Sequence, residues 1–153
     1  MSTSSDSAEE IVRLSLEGFE VVARLTGNMA KEMAVLLYAM SKDTKKKTKG
    51  QTRINNMLKS NSNLRIFTIK KDEYQDFKKQ AKRYGVLYSA LYKKSEKNKD
   101  GVIDILVREE DAVRVNRIIE RFNLTTVDTT KIESKIEKID IEKEQKKEEK
   151  VEV

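Results

Sequence analysis

The chain has 153 residues and a net charge of +6, from 32 Lys or Arg and 26 Asp or Glu side chains. It contains neither Cys nor His, which excludes a zinc ribbon, a thiol nucleophile and a Ser-His-Asp triad. Its five glycines form no phosphate-binding loop and no dinucleotide-binding motif. We therefore expect a non-enzymatic protein without metal or cofactor. The apolar stretches are far shorter than the ~20 residues of a membrane-spanning helix, so we expect a cytoplasmic protein without membrane insertion.

The charge is distributed unevenly along the chain. Residues 1–42 contain 4 basic and 6 acidic side chains, residues 43–99 contain 17 and 5, and residues 100–153 contain 11 and 15. The local net charges are therefore −2, +12 and −4. Together with the residue patterns, they predict an N-terminal helix pair over 1–42, a basic linker over 43–62, a compact domain over 63–127 and a charged tail over 128–153.

Apolar side chains at helical spacing predict a helical hairpin in residues 1–42. Ser7 and Glu10 have the spacing of a capping box, and Gly27 provides a stop between two apolar stripes. We expect the hairpin to pack on the compact domain or on a second copy, and we predict a homo-oligomer. The side chains expected to mediate self-association are Leu14, Phe19, Val22, Met33, Leu36, Leu37 and Met40.

Strand and helix patterns alternate in the next segment. The predicted elements are a strand at 64–70, a helix at 72–84, strands at 86–93 and 102–107, a helix at 109–122 and a short strand at 124–127. This β-α-β-β-α order predicts an α+β domain of the ferredoxin-like (split βαβ) type, with both helices on one face of the sheet. In the tail, Ile132, Ile136 and Ile139 have helical spacing, so we expect a partly helical or disordered appendage.

The basic middle of the chain is a candidate surface for nucleic acid or another acidic partner. Lys and Arg side chains that contact phosphates release counterions, which gives salt-sensitive binding without sequence preference. A solvated helix face is the alternative interpretation of the same charges. The candidate residues are Lys45, Lys46, Lys47, Lys49, Arg53, Lys71, Lys78, Lys79, Lys82 and Arg83.

Three tyrosines in and beside the second predicted strand are candidates for base stacking or for an interface, namely Tyr84, Tyr88 and Tyr92. Because side chains alternate along a strand, Tyr88 and Tyr92 share one face. If the helices cover the opposite face, these rings lie on an open sheet, as in RNA-recognition modules. The alternative, which we favour, is that the N-terminal helix pair covers the rings.

A longer similarity involves Tyr84-Gly85, Tyr88, Asp104-Ile105, Glu110-Asp111-Ala112 and Asn116-Arg117-Ile118-Ile119. Through these positions the chain resembles the PcfB (DUF3801) family of conjugative plasmids and integrative elements of Gram-positive bacteria. The resemblance does not include the tail beyond residue 128, and it carries over no catalytic residues.

The resemblance implies an accessory or adaptor protein of conjugative DNA transfer. Such a protein links the relaxosome or the transferred DNA to the coupling ATPase of type IV secretion through protein-protein contacts. It also implies recruitment to the membrane through the secretion machinery. The alternative function is a sequence-independent module that binds single- or double-stranded DNA or RNA through the basic middle segment and the strand tyrosines.

Overall fold

The structure, a computed structural model, describes residues 9–42, 49–91 and 101–139. Its elements are β1 (Glu9–Leu16), β2 (Phe19–Gly27), α1 (Ala30–Lys42), α2 (Lys49–Leu58), β3 (Asn63–Lys70), α3 (Tyr74–Tyr84), β4 (Tyr88–Leu91), β5 (Val102–Arg108), α4 (Glu109–Arg121) and β6 (Val127–Ile139). The strands form one antiparallel sheet in the order β1-β2-β6-β3-β5-β4.

Helices lie on both faces of the sheet and form two separate cores. Helices α1 and α2 pack on one face, where Leu37 and Leu58 join the core built on β1, β2 and β6. Helices α3 and α4 pack on the other face, where Phe77 and Val115 lie over β3 and β5. Strand β3 contributes to both cores, with Leu64 and Ile66 on one face and Phe67 and Ile69 on the other. Burial on both faces explains its nearly continuous apolar sequence.

The protein is α+β, but the predicted arrangement of a helical hairpin followed by a ferredoxin-like domain is wrong. The chain begins with a β-hairpin and not with a helical hairpin, and its six-stranded sheet is larger than a ferredoxin-like domain. The strand predicted at 64–70 and the helices predicted at 72–84 and 109–122 correspond to β3, α3 and α4. Helix α2 lies inside the predicted linker. Strands β1 and β2 reach β3 through β6, so the predicted N-terminal segment and compact domain share one sheet.

The N-terminal hairpin forms because its buried side chains follow a period of two, which is the period of a strand. These buried side chains are Leu14, Leu16, Val21, Ala23 and Leu25. Ile11 and Val22, which share a helical spacing with Leu14, lie on the opposite face of the sheet. Glu17 and Gly18 form the turn, with φ angles of 45° and 87°. Two positive φ values match the tight turns that join paired strands.

The segment after residue 126 forms a central strand and is neither a helix nor a disordered tail up to residue 139. Strand β6 pairs with β2 on one side and with β3 on the other. The four-residue separation of Ile132 and Ile136 fits both a helix and a strand, because four is a multiple of two. Ser134 lies between them on the same face and donates a hydrogen bond to the Leu58 carbonyl of α2.

Strand β2 ends where its backbone approaches β6 closely. Gly27 has a φ of +127°, and a Cβ atom there would overlap the carbonyl oxygen of Thr129 and lie 3.1 Å from Cα of Thr130. The next residue, Asn28, donates its backbone N–H to the same Thr129 oxygen at 3.0 Å. Glycine is therefore required at this crossing for both its backbone angle and its lack of a side chain.

Candidate functional site

A basic cleft lies beside β4, which forms one edge of the sheet. Helix α2 reaches this edge from one face of the sheet, and α3 reaches it from the other. The cleft has a volume of about 580 Å³. Its cationic side chains are Arg53, Lys78, Lys79 and Lys82, and its walls include Val86, Leu87 and Tyr88. The cleft thus combines four of the ten predicted cationic candidates with an apolar wall.

Helix α3 presents its lysines to the cleft because its apolar side is buried. Phe77 and Ala81 are fully buried against the sheet. Lys78, Lys79 and Lys82 are exposed at the i, i+1 and i+4 spacing of a single helix surface. Among the described residues these lysines form no ion pair, and Lys78 Nζ lies 5.5 Å from the centroid of the adjacent Tyr74 ring. Within the part of the chain that the structure describes, three cationic groups on one side of α3 therefore have no acidic partner.

Arg53 adds a fourth charge from the opposite face of the sheet. Helix α2 is held by the buried side chains of Ile54, Met57 and Leu58, which leaves Arg53 exposed at the edge. Its Nη1 donates a hydrogen bond to the backbone carbonyl of Tyr88 at 2.9 Å. A guanidinium has five N–H donors, so Arg53 can bind an anion while it keeps this bond to β4.

A buried carboxylate fixes the wall of the cleft. Gly85 ends α3 in the left-handed conformation, and the following Leu87 N–H donates to Asp111 Oδ2 at 3.3 Å. Asp111 is fully buried, and Arg108 and Arg114 each pair with it at 2.8 Å. In the sequence, Asp111 has the pattern of a helix N-terminal acid, and its position in α4 agrees with that pattern. Its bond to the α3–β4 loop has no sequence signal, because the contact is long-range.

The other predicted cationic residues lie elsewhere. Lys71 lines a second, shallow cleft together with Gly101 and Val102. Arg83 is exposed on α3 but does not line the basic cleft. The side chain of Lys49 lies outside the described residues, as do Lys45, Lys46 and Lys47.

Tyr84 and Tyr88 pack against the core on the face of the sheet that α3 and α4 cover. The Tyr88 ring packs edge-on against Phe77, with centroids 5.4 Å apart and an interplanar angle of 77°. Tyr84 accepts a hydrogen bond from Arg121 Nη1 at 2.7 Å, and Tyr92 lies outside the described residues. Helices α3 and α4 therefore cover this face of the sheet, while Tyr88 itself is half-buried and lines the basic cleft, so its role in stacking or in an interface stays a prediction. The prediction that the N-terminal helix pair covers the tyrosine rings is wrong, because α1 and α2 lie on the opposite face of the sheet.

The side chains predicted to mediate self-association belong mainly to the core of the chain itself. Leu14, Met33, Leu36 and Leu37 are buried beneath or within α1. Phe19 and Met40 are partly buried against the same core, and Val22 faces the other side of the sheet. The four buried side chains are out of reach of a second copy, and the homo-oligomer stays a prediction that would need another surface.

Two other properties concern only the part of the chain that the structure describes. Within residues 9–42, 49–91 and 101–139, no group of three or more Asp or Glu side chains is arranged to hold a metal ion. No helix in these ranges is long and apolar enough to cross a membrane.

Comparisons with known proteins give a family but no activity. The family model described as "Protein of unknown function (DUF3801)" matches residues 28–153, so the match continues through the tail, which the resemblance above excluded. No curated protein matches the chain. A solved structure, a conserved hypothetical protein from Aquifex aeolicus, is 11% identical with a TM-score of 0.38. The alignment covers 87% of this chain and 51% of that one, so this chain spans about half the length of that protein.

Proposed function

Because the chain belongs to the DUF3801 family over residues 28–153, we propose that it is a non-enzymatic accessory protein of conjugative DNA transfer. In this proposal, the basic cleft binds the backbone of the transferred DNA without sequence preference, and the protein links that DNA to the relaxosome and the coupling ATPase. The transfer process rests on the PcfB resemblance. The DNA-binding mode rests on the geometry of the cleft.

The main observation in support of DNA binding is that four cations from two helices lie together at one edge of the sheet. Arg53 comes from α2, and Lys78, Lys79 and Lys82 come from α3. Lysine acts as a flexible point charge, whereas the arginine fork can bind phosphate oxygens in pairs. Such a set recognises phosphates but does not read bases. The Tyr88 ring is half-buried and packs edge-on against Phe77, which leaves less of its face for the stacking of a base.

A second candidate function is an adaptor that binds an acidic segment of a partner protein in the same cleft. The specific observation in its favour is the apolar wall, in which Leu87 is 36% exposed beside the lysines. A peptide with alternating acidic and apolar side chains would use both parts of such a surface. Nucleic acid would use only the charges. The two functions therefore differ in their dependence on Leu87.

Fluorescence anisotropy with labelled single- and double-stranded DNA tests the proposed binding mode. The Lys78→Glu/Lys82→Glu variant should lose about tenfold or more in affinity at low salt, because each lost phosphate contact removes counterion release. The matched control is Lys31→Glu/Lys135→Glu, which makes the same charge change at exposed positions on α1 and β6. Its affinity should fall by less than about threefold, through long-range electrostatics alone.

Two outcomes would reject DNA binding through the cleft. One is an absence of binding at low salt by folded wild-type protein. The other is an equal loss of affinity in both charge-reversed variants, which would mean that only net charge matters. If DNA binding is absent, but an acidic peptide binds and Leu87→Ser weakens it, the adaptor function replaces the DNA-binding one.

A further inference from the structure

Strand β1 is an edge of the sheet that no described element pairs with on its outer side. It is eight residues long, and β2 is its only partner among the described strands. The opposite edge, β4, spans four described residues, and Arg53 binds its outward Tyr88 carbonyl. A long edge strand with free backbone groups is a template for pairing with another strand. Among the described residues the two edges therefore differ, because β1 has no partner on its outer side.

The hairpin turn determines which residues of β1 present their backbone groups outward. Leu16 pairs with Phe19 next to the two-residue turn, and the register is regular from there to Glu9. In such a hairpin the pair that flanks the turn is hydrogen-bonded, and hydrogen-bonded pairs alternate along the strands. The even-numbered residues of β1 therefore bond to β2. The residues that point N–H and C=O outward are Glu9, Ile11, Arg13 and Ser15.

The same odd-numbered residues carry the exposed side chains of β1. Val12, Leu14 and Leu16 pack against the α1 core on the other face. Ile11 is 64% exposed, although it is a large apolar residue. It lies between two opposite charges, Glu9 and Arg13. Both charged side chains are held over the sheet, because Glu9 pairs with Arg24 and Arg13 pairs with Glu137.

We propose that β1 pairs antiparallel with β1 of a second copy of this chain, about a twofold axis at Ile11. In this register the two Ile11 side chains lie opposite each other. Glu9 of each copy lies opposite Arg13 of the other copy, and opposite charges at such positions stabilise paired strands. The result is a continuous sheet across the two copies, with an isologous interface.

Neighbouring registers do not give this complementarity. An axis at Arg13 places two arginines directly opposite each other, which is destabilising. An axis at Val12 places Ile11 opposite Arg13 and Glu9 opposite Ser15. Of these three registers, only the one centred on Ile11 places the two Ile11 side chains against each other and pairs Glu9 with Arg13. Strand β1 precedes residue 28, where the family match begins, so the inference concerns this chain and is independent of the proposed function.

Site-specific disulfide cross-linking tests the register, because the full-length chain has no cysteine of its own. Hydrogen-bonded antiparallel residues have Cα atoms about 5.5 Å apart, which is within the range of a disulfide, about 4.4–6.8 Å. Ile11→Cys should therefore form a covalent dimer under mild oxidation, at twice the chain mass of 17.7 kDa. A mixture of Glu9→Cys and Arg13→Cys proteins should cross-link more than either alone.

The matched control is Val35→Cys, at a similarly exposed apolar position on α1 (54%). It should remain monomeric under reducing and oxidising conditions when analysed in denaturant. Cross-linking of Val35→Cys that equals or exceeds that of Ile11→Cys would overturn the proposal. Equal cross-linking of the mixed and separate Glu9→Cys and Arg13→Cys proteins would reject the Ile11 register.

Light scattering on proteins without cysteine provides the second measurement. Wild-type protein should show a mass that rises with concentration toward twice 17.7 kDa. Arg13→Glu should shift the mass toward the monomer, because it places like charges opposite each other. A wild-type mass that stays at 17.7 kDa at all concentrations, or an Arg13→Glu mass equal to that of wild type, would contradict the proposal.

Discussion

The crossing of β2 and β6 at Gly27 predicts an unusually large effect for a single added methyl group. Gly27→Ala would force a non-glycine residue to a φ of +127° and place its Cβ against the Thr129 carbonyl. A residue held in a backbone region used almost only by glycine costs about 1–3 kcal/mol. Overpacking a filled site costs about 1–3 kcal/mol more. Displacement of β6 would also weaken the Asn28–Thr129 bond, which is worth about 0.5–1.5 kcal/mol.

Gly18→Ala is the matched control for this substitution. Gly18 also has a positive φ, of +87°, but an added Cβ would meet nothing within 4 Å. Gly18→Ala therefore carries only the cost of holding a residue with a Cβ atom at a positive φ, about 1–2 kcal/mol. Gly27→Ala should therefore lower the free energy of unfolding by about 2–4 kcal/mol more than Gly18→Ala does. For a chain of this length each kcal/mol corresponds to about 2–4 °C in Tm, so the two variants should differ by about 4 °C or more.

Thermal unfolding followed by circular dichroism measures both variants under the same conditions. The expected order of Tm is wild type, Gly18→Ala and then Gly27→Ala, with the larger gap between the two variants. Equal Tm values for the two variants would refute the reasoning, because they would mean that β6 does not approach Gly27 closely. A Gly27→Ala protein that fails to fold while Gly18→Ala folds would agree with the reasoning.

Three other substitutions test separate parts of the account. Asp111→Asn should lower the free energy of unfolding by about 2–3 kcal/mol in urea titrations, because a buried carboxylate loses its charge-assisted bonds and its bond to Leu87 weakens. Tyr88→Ala should lower it by about 2 kcal/mol through lost ring packing, while DNA affinity falls less than in the lysine reversals. Burial raises the pKa of Asp128 above its ordinary 3.8, although Arg65 opposes the shift. The contribution of Asp128 to stability is therefore present at low pH and is lost as pH rises through its folded pKa. The stability of wild type should fall relative to that of Asp128→Asn as the pH rises through this pKa.

Each of these predictions has a contrary result. A cost below about 1 kcal/mol for Asp111→Asn would mean that the carboxylate is not needed to hold the cleft wall. Tyr88→Ala with unchanged stability and abolished DNA binding would favour stacking. Wild-type protein that gains stability relative to Asp128→Asn as pH rises would contradict the direction of the pKa shift.

The sequence predicts those elements of the fold whose periodicity is unambiguous. In α3, Phe77 and Ala81 are separated by four residues and the helix ends at Gly85, so pattern and stop signal agree. In the N-terminal segment, apolar residues on both faces of β1 and β2 satisfied a helical period as well as a strand period. The Glu17-Gly18 turn is the local signal that distinguishes the two periods, and the predicted helical hairpin places this pair inside a helix.

Strand β6 could not be predicted from local pattern alone. Its stability as a strand comes from hydrogen bonds to β2 and β3, which are distant in sequence. The four-residue spacing of Ile132 and Ile136 fits the period of a helix as well as that of a strand. Non-local pairing therefore decided the structure of a segment whose composition resembles a charged tail.

The candidate site is predictable only where its residues are close in sequence. The lysines of α3 are close in sequence, so their shared surface follows from helical spacing. Arg53 and Lys78 lie on elements that pack on opposite faces of the sheet, and only the position of β4 at the edge brings them together. The bond from Leu87 to Asp111 likewise depends on the completed fold.

The salt dependence of DNA binding tests the central claim most directly. If the four cations of the basic cleft contact phosphates, the logarithm of the wild-type association constant should fall with the logarithm of salt concentration, with a slope of about −3 to −4 on duplex DNA. Lys78→Glu/Lys82→Glu should make this slope shallower by about 2, and Lys31→Glu/Lys135→Glu should change it by less than about 1. A slope that is the same in all three proteins would contradict DNA binding through the cleft.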